Sequence, residues 1–424
     1  MDSISPTTQR PNDLMHRSSF RNLILLIYLV YGMLVSAILF GVPLRALNLG
    51  AGEVLLGGIV SGFVSTGLVF SFAGAALCDR LGERSLIISA FGFYALAYAL
   101  GVLAQSPPLL VLSAFLAGVG DMLFTVGGMT YLTRLVRDRG KELPMSLAFS
   151  LLRLGSLVGV AGAGSLVESS GFQVIFIVGA FLSIVGALTA VILQQVVTEP
   201  RRTSARSEGV LGPFKAACDL FMSNETVRIA MVITCLGSAG WFTFRSSFYL
   251  DYLRRTGMSP GSMGFLTGLG SMGSIVAPFV YTLLSRRIEA LRTVVIGLLI
   301  AGLGLAVTPL LRTSLLIGAV AIPAQMGDAF RLPGVYVLLG ANTVVRDRPT
   351  AVAIVNSAFA LAALVAGPLW GLVVRVTGLS TSFYVAGMAT VVSALALYRI
   401  HARRRVGEEL RSCSRVTGQR ARKI

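Results

Sequence analysis

Apolar runs of about twenty residues alternate with short polar breaks along almost the whole chain. A helix needs ~20 such residues to cross the hydrocarbon core of a bilayer. The pattern predicts spans near 22–44, 54–77, 85–105, 107–133, 144–167 and 172–196. Six more follow near 228–250, 259–284, 291–311, 313–339, 349–373 and 379–399. Between the two sets lies a polar stretch, 197–227, holding Pro200, Arg201, Arg202, Arg206 and Pro213, which reads as a connector. The chain therefore divides into a tail (1–21), a six-helix bundle (22–196), a linker (197–227), a second bundle (228–399) and a basic tail (400–424).

Composition agrees with this pattern. Hydrophobic residues make up 54% and charged residues 13% of the 424, against roughly 25% charged in a soluble domain. A soluble enzyme, a disordered chain and a single-anchor receptor are excluded. The apolar run after the polar first 21 residues is longer than a signal-peptide core and has no small-residue cleavage site, so it reads as a first span. Cys78, Cys218, Cys235 and Cys413 are too few for a disulfide scaffold and are expected reduced. His16 and His401 lie in the tails, which leaves no membrane-embedded histidine for haem, zinc or base catalysis. No cofactor and no metal are expected. With no G-x-x-x-x-G-K-[ST] phosphate loop, an ATP-driven route has no support either.

The 36 Lys and Arg outnumber the 19 Asp and Glu, for a net charge of +17. Their placement explains the excess. With both termini inside, 28 of the basic residues fall on the inner side, 5 on the outer side (Arg45, Arg254, Arg255, Arg312, Arg375) and 3 within spans. Such asymmetry is what the positive-inside rule predicts, so no nucleic-acid partner is needed. The run Arg403-Arg404-Arg405 suits anionic lipid headgroups.

The chain also repeats itself. Val136-Arg137-Asp138-Arg139 after span 4 recurs as Val345-Arg346-Asp347-Arg348 after span 10, an offset of 209. Gly120-Asp121 matches Gly327-Asp328 at 207, Gly159 matches Gly367 at 208, and Asp79-Arg80 matches Arg286-Arg287 at 207. A near-constant offset implies two homologous halves, and parallel repeats of this kind place a substrate site where they meet.

Between spans 2 and 3 the chain reads Ala75-Ala76-Leu77-Cys78-Asp79-Arg80-Leu81-Gly82-Glu83-Arg84. With six plus six spans and a long middle loop, this resembles the major facilitator superfamily, whose pattern here is G-x-x-x-D-R-x-G-R-[RK]. Asp79, Arg80, Gly82 and Arg84 fit; Ala75 and Glu83 depart. The resemblance implies an all-α membrane protein of two pseudo-symmetric six-helix bundles around a central cavity. It also implies that Asp79, Arg80, Gly82 and Arg84, with Arg137, Asp138, Arg346 and Asp347, latch the bundles on the cytoplasmic side in one conformation. Two patterns of the family's proton-driven exporters are incomplete: Ala114 stands where span 4 would carry Arg, and Val160 replaces a proline in span 5, beside Gly155 and Gly159. Small residues at such spacing also let helices pack closely.

An Asp or Arg at the centre of a span costs roughly 2.5–3.5 kcal/mol, so five of them require a reason. Asp121 in span 4 and Asp328 in span 10 occupy equivalent places and are the candidates for proton coupling, since a low-dielectric cavity favours the neutral form of a carboxyl group. Arg153 lies at a depth close to that of Asp121, within ~5 Å at 1.5 Å per residue, and is expected to pair with it. Arg331 follows Asp328 by three residues and shares its helix face, with Pro323 and Pro333 on either side. Arg245 in span 7 is placed either to meet an anionic substrate group or to snorkel to the outer headgroups, with Trp241 as an aromatic wall or an interface anchor.

The resulting expectation is a secondary active transporter, not an enzyme, in a bacterial inner (plasma) membrane with both termini cytoplasmic. Its partners are a small-molecule substrate, protons and the lipid bilayer, and it works as a monomer. Proton-coupled export of a drug, metabolite or siderophore-like compound is the leading reading, on family frequency, and proton-coupled uptake of an organic anion is the rival. A non-transporting sensor, scaffold or lipid-handling protein of the same fold is the reading of another class.

Overall fold

The computed structural model describes residues 11–137, 143–193, 212–242, 244–344 and 347–399. The described chain is helical, without strands. Lipid offers no hydrogen-bond partners to a backbone, and a helix satisfies its own. The first half comprises α1 (Pro11–Asn48), α2 (Glu53–Leu81), α3 (Glu83–Leu103), α4 (Pro107–Arg137), α5 (Leu143–Ser170) and α6 (Phe172–Ile192). A short helix α7 (Gly212–Ser223) then leads at a bend of 102° into α8 (Glu225–Gly237), which runs on through π-wound turns at Ser238–Phe242 and Phe244–Phe248 to α9 (Tyr249–Arg255). The second half continues with α10 (Pro260–Ser285), α11 (Ala290–Val307), α12 (Ser314–Ala329), α13 (Arg331–Asn342), α14 (Arg348–Thr377) and α15 (Leu379–Arg399).

These helices form the twelve rods that the hydropathy pattern predicts, with α8–α9 and α12–α13 each acting as one. Ten of the rods are on their own long and apolar enough to cross a bilayer. The other two are α2, whose shorter apolar stretch is Glu53–Leu68, and the interrupted α8–α9. The connector is more ordered than its polarity suggests: α7 occupies its second part and buries Ala217 against the second half. Asn224 caps α8 by accepting from the amides of Thr226 and Val227.

Glycine lets the helices approach at backbone distance. A Cβ on Gly118 of α4 would stand 2.0 Å from the Phe63 carbonyl oxygen of α2, and one on Gly155 of α5 would stand 2.1 Å from that of Leu29 on α1. Gly118 and Gly155 are thus packing surfaces.

The same device joins the halves. Gly57 of α2 meets Gly367 of α14, and Gly164 of α5 meets Gly264 of α10. Polar contacts cluster around these crossings, at the end that carries the 49–52 and 256–259 loops. Ser61 Oγ donates to the Ala363 carbonyl at 3.0 Å and Ser247 Oγ to that of Leu56 at 3.2 Å. Arg255 lies 3.7 Å from Glu53 of the first half and 2.8 Å from buried Asp251 of its own. Glu168, at the end of α5, accepts from Ser259 Oγ at 2.9 Å and from the Gly261 amide at 2.8 Å. It therefore caps the N-terminus of α10, a helix of the other half, where a negative charge is favoured by the helix dipole. This end of the molecule is sealed.

Candidate functional site

The two carboxylates that the repeat equates enter the interior from equivalent helices and find different neighbours. Asp121 of α4 accepts a hydrogen bond from the Tyr31 hydroxyl of α1 at 2.5 Å. Tyr31 is held in place by stacking on Phe124, with centroids 3.7 Å apart, and by an edge contact with Tyr94 at 6.2 Å. Among the described residues no Lys or Arg forms an ion pair with Asp121.

Asp328 lies among guanidinium groups. Arg331 Nε donates to its Oδ1 at 3.3 Å, the contact that the three-residue spacing predicts. Arg153 of α5 and Arg245 of the π-wound segment both lie within its electrostatic reach. The expected Asp121–Arg153 pair does not form: Arg153 lies on the face of α5 that, at Leu157, Val160 and Gly164, packs on Gly264 and Gly268 of α10. Counting residues along two spans gives the height of each side chain but not its azimuth, and the azimuth turns Arg153 toward the opposite half. Arg153 is solvent-exposed on the face of α5 that turns toward α10, which places it at the space between the halves.

The helix that carries Asp328 and Arg331 is broken between them. Pro333 has no amide hydrogen to give the Ala329 carbonyl, so α12 ends at Ala329, the Phe330 amide turns back to Gly327 at 3.2 Å, and α13 begins at Arg331. Pro323, by contrast, is accommodated inside α12. Arg331 is only 4% exposed. Its guanidinium carbon sits 5.4 Å from the centre of the Phe359 ring on α14, and its Nη1 has no hydrogen-bond partner. Gly237 of α8 makes the room, since a Cβ there would stand 2.3 Å from Arg331 Nε.

Arg245 does not snorkel to headgroups. Its Nη2 donates to the Thr267 carbonyl of α10 at 3.0 Å, and its guanidinium lies 5.3 Å from the centre of the Tyr249 ring. A Cβ on Gly270 of α10 would stand 2.8 Å from Arg245 Nη2 and 3.3 Å from Gln325 Oε1, so the guanidinium adjoins the α12 turn preceding Asp328. The end of α8 and the π winding that follows it are tied to α14 by three side chains. Ser238 Oγ donates to the Phe359 carbonyl at 2.9 Å, Cys235 Sγ to that of Ala358 at 3.6 Å, and Trp370 Nε1 to that of Ala239 at 2.6 Å. Wide turns of this kind recur at functional sites.

The latch residues are only partly visible. Gly82 ends α2 with φ +79°, a conformation that glycine supplies freely, and its amide bonds the Cys78 carbonyl at 2.9 Å. Arg80 is exposed. Arg84 donates to the Val191 carbonyl of α6, within its own half. Asp347 stands at the N-cap of α14 without a side-chain capping bond. The side chains of Asp79, Arg137 and Trp241 lie outside what the structure describes, as do Asp138 and Arg346 altogether. Among the described residues Cys78, Cys218 and Cys235 form no disulfide. Among the described residues no group of three or more His, Cys, Asp or Glu is placed to hold a metal.

Two six-rod halves joined at one end around a charged interior describe an integral, multi-pass membrane protein. The sequence pattern of the Major Facilitator Superfamily matches residues 24–251 and again 230–412. The chain belongs to that superfamily. Among curated proteins it is 28% identical over 257 residues to "Putative multidrug resistance protein MdtD" of Yersinia pseudotuberculosis serotype I (strain IP32953), covering 56% of this chain and 54% of that one. The protein of the same name from Yersinia enterocolitica serotype O:8 / biotype 1B (strain NCTC 13174 / 8081) is 27% identical over 253 residues, covering 56% and 53%. The chain thus spans about half the length of the curated relatives it matches. Among solved structures, the nucleoside transporter NupG superposes with a TM-score of 0.72 at 15% identity, covering 90% of this chain and 99% of that one. A POT family transporter in complex with thioalcohol conjugated peptide gives 0.74 at 11% identity, covering 90% and 96%.

Proposed function

We propose that the protein is a secondary active transporter that exports a small organic compound in exchange for protons by rocking its two halves about the central site. The observation that carries this reading is the unequal pair of interior carboxylates: Asp121 with a tyrosine donor and no cation, and Asp328 at the centre of an arginine cluster. Asp121 is the acid assigned to carry the proton. Environments that separate two titratable groups in this way give them different roles. Export draws support from the multidrug resistance relatives. The distribution of basic residues supports an orientation with both termini in the cytoplasm of a bacterial cell, in which the sealed end faces outward and substrate enters from inside. Asp79, Arg80, Gly82 and Arg84, together with Arg137, Asp138, Arg346 and Asp347, would join the halves at the cytoplasmic end when the outer end opens. The unit is a monomer.

A second reading, proton-coupled uptake of an organic anion, is favoured by the three arginines around Asp328. The two readings predict opposite fluxes. In inside-out vesicles energised to an acid interior, an exporter accumulates substrate from a panel of drugs, metabolites and organic acids, whereas an uptake symporter does not. Asp121→Asn is expected to abolish the pH dependence of transport. If Asp121→Asn and Asp328→Asn both carry solute with an unchanged pH profile, the proton assignment is wrong.

A further inference from the structure

One guanidinium group contacts Asp328 at the meeting point of the halves, and two more are directed to the same region. Arg331 contacts Asp328 directly at 3.3 Å, Arg245 adjoins the same helix next to Gln325, and Arg153 stands exposed on the face of α5 that turns toward the second half. Asp121, the other interior acid, is engaged by Tyr31. The cluster therefore carries an excess of two positive charges. Uncompensated charge is costly away from water, and the buried Nη1 of Arg331 makes no hydrogen bond. The Gln325 Oε1 and Thr267 Oγ1 atoms beside Arg245 are likewise buried and unpartnered. Arginine presents its donors in a planar fork that matches the oxygens of a carboxylate or phosphate. The exposure of Arg153 to the space between the halves gives a solute a way in.

We infer that Arg153, Arg245 and Arg331 form a subsite for the anionic group of the substrate, a soluble organic carboxylate or phosphate, with Asp328 as the internal anion that holds the arginines in place until the substrate replaces it. The apolar body of such a substrate meets Phe359, whose ring already lies against the Arg331 guanidinium. The inference rests on the proposed transport reading only in that substrate enters between the halves, and it is independent of direction and of proton coupling. Because Arg153 belongs to one half and Arg245 and Arg331 to the other, the anion links the halves when both sides bind it.

The chain contains two tryptophans, Trp241 and Trp370, and Trp370 bonds the π-wound turn beside the cluster. Intrinsic fluorescence of the full chain in phosphatidylcholine nanodiscs therefore reports occupancy. The probes are cyclohexanecarboxylate and cyclohexyl phosphate, with uncharged cyclohexanecarboxamide as the matched control. The anions are expected to bind at least about tenfold more tightly than the carboxamide, the factor a charge-assisted hydrogen bond supplies. Arg153→Gln and Arg331→Gln should each remove about that factor for the anions and leave the carboxamide unchanged. Asp328→Asn should tighten anion binding, because it removes the competing carboxylate. Should Arg331→Gln fail to fold, Arg153→Gln, at an exposed position, carries the same test. Equal affinity for anion and carboxamide, anion affinity unaltered by Arg153→Gln, or weaker anion binding in Asp328→Asn would each overturn the inference. So would loss of anion binding in discs that contain phosphatidylglycerol, which would assign the arginines to a lipid headgroup. A failed flux assay with intact anion binding would refute the transport reading and leave this one standing.

Discussion

At the scale of single residues, the two interior acids behave as separate devices. Tyr31 gives Asp121 its hydrogen bond while its ring is independently fixed on Phe124. Tyr31→Phe keeps the stack and removes the donor, so it is expected to displace the pH profile of transport. Tyr98→Phe, which loses only a bond to the Leu34 carbonyl at 2.7 Å, should leave that profile in place and lower stability by about 0.5–1.5 kcal/mol. Equal effects from both, measured as flux against pH and as thermal unfolding, would remove Tyr31 from the coupling site. Gly237→Ala tests the other acid. Its new methyl group meets the Arg331 guanidinium, so the variant should reproduce the anion-binding defect of Arg331→Gln although it touches no charge. The sequence made part of this legible. The three-residue step from Asp328 to Arg331 fixes a shared face within one helix. Tyr31 and Asp121, 90 residues apart on different rods, have no such local rule.

At the scale of elements, the hydropathy pattern located all twelve rods because the bilayer imposes a length that composition reveals. The pattern could not show where a rod changes its winding. No proline marks the π turns around Arg245, and the break between Asp328 and Arg331 is announced only by Pro333. Pro333→Ala restores an amide donor for the Ala329 carbonyl and should join α12 to α13. Thermal stability is then expected to rise by about 0.5–1.5 kcal/mol for the restored hydrogen bond, and transport to fall as the site loses its helix break. A stable variant with full flux would show that the break is structural. Contacts between rods distant in sequence were also invisible, above all the capping of α10 by Glu168. Glu168→Ala should weaken the sealed end by about 1 kcal/mol, a typical cap. That shift, roughly fivefold in population, is readable as faster maleimide labelling of a cysteine introduced at Gly52.

At the scale of the molecule, the internal repeat and the loop between spans 2 and 3 identified the architecture from sequence, while the conformational state required coordinates. The halves meet through glycine crossings and a polar belt at one end. A Cβ on Gly57 would stand 2.0 Å from the Gly367 carbonyl oxygen, so this seal tolerates no side chain and is either fully formed or absent. Stability here does not demand permanence, because the contacts around the glycines are individually weak hydrogen bonds and an exposed ion pair. A seal of that kind suits a molecule whose two halves separate and rejoin at each turn of a transport cycle. The most direct test fixes the seal covalently. In a chain whose four native cysteines are replaced by serine, Ser61→Cys and Ala363→Cys are joined by a short thiol cross-link across the halves. Substrate binding from the opposite end should survive while flux through proteoliposomes stops and returns on reduction; undiminished flux through the cross-linked protein would contradict the account.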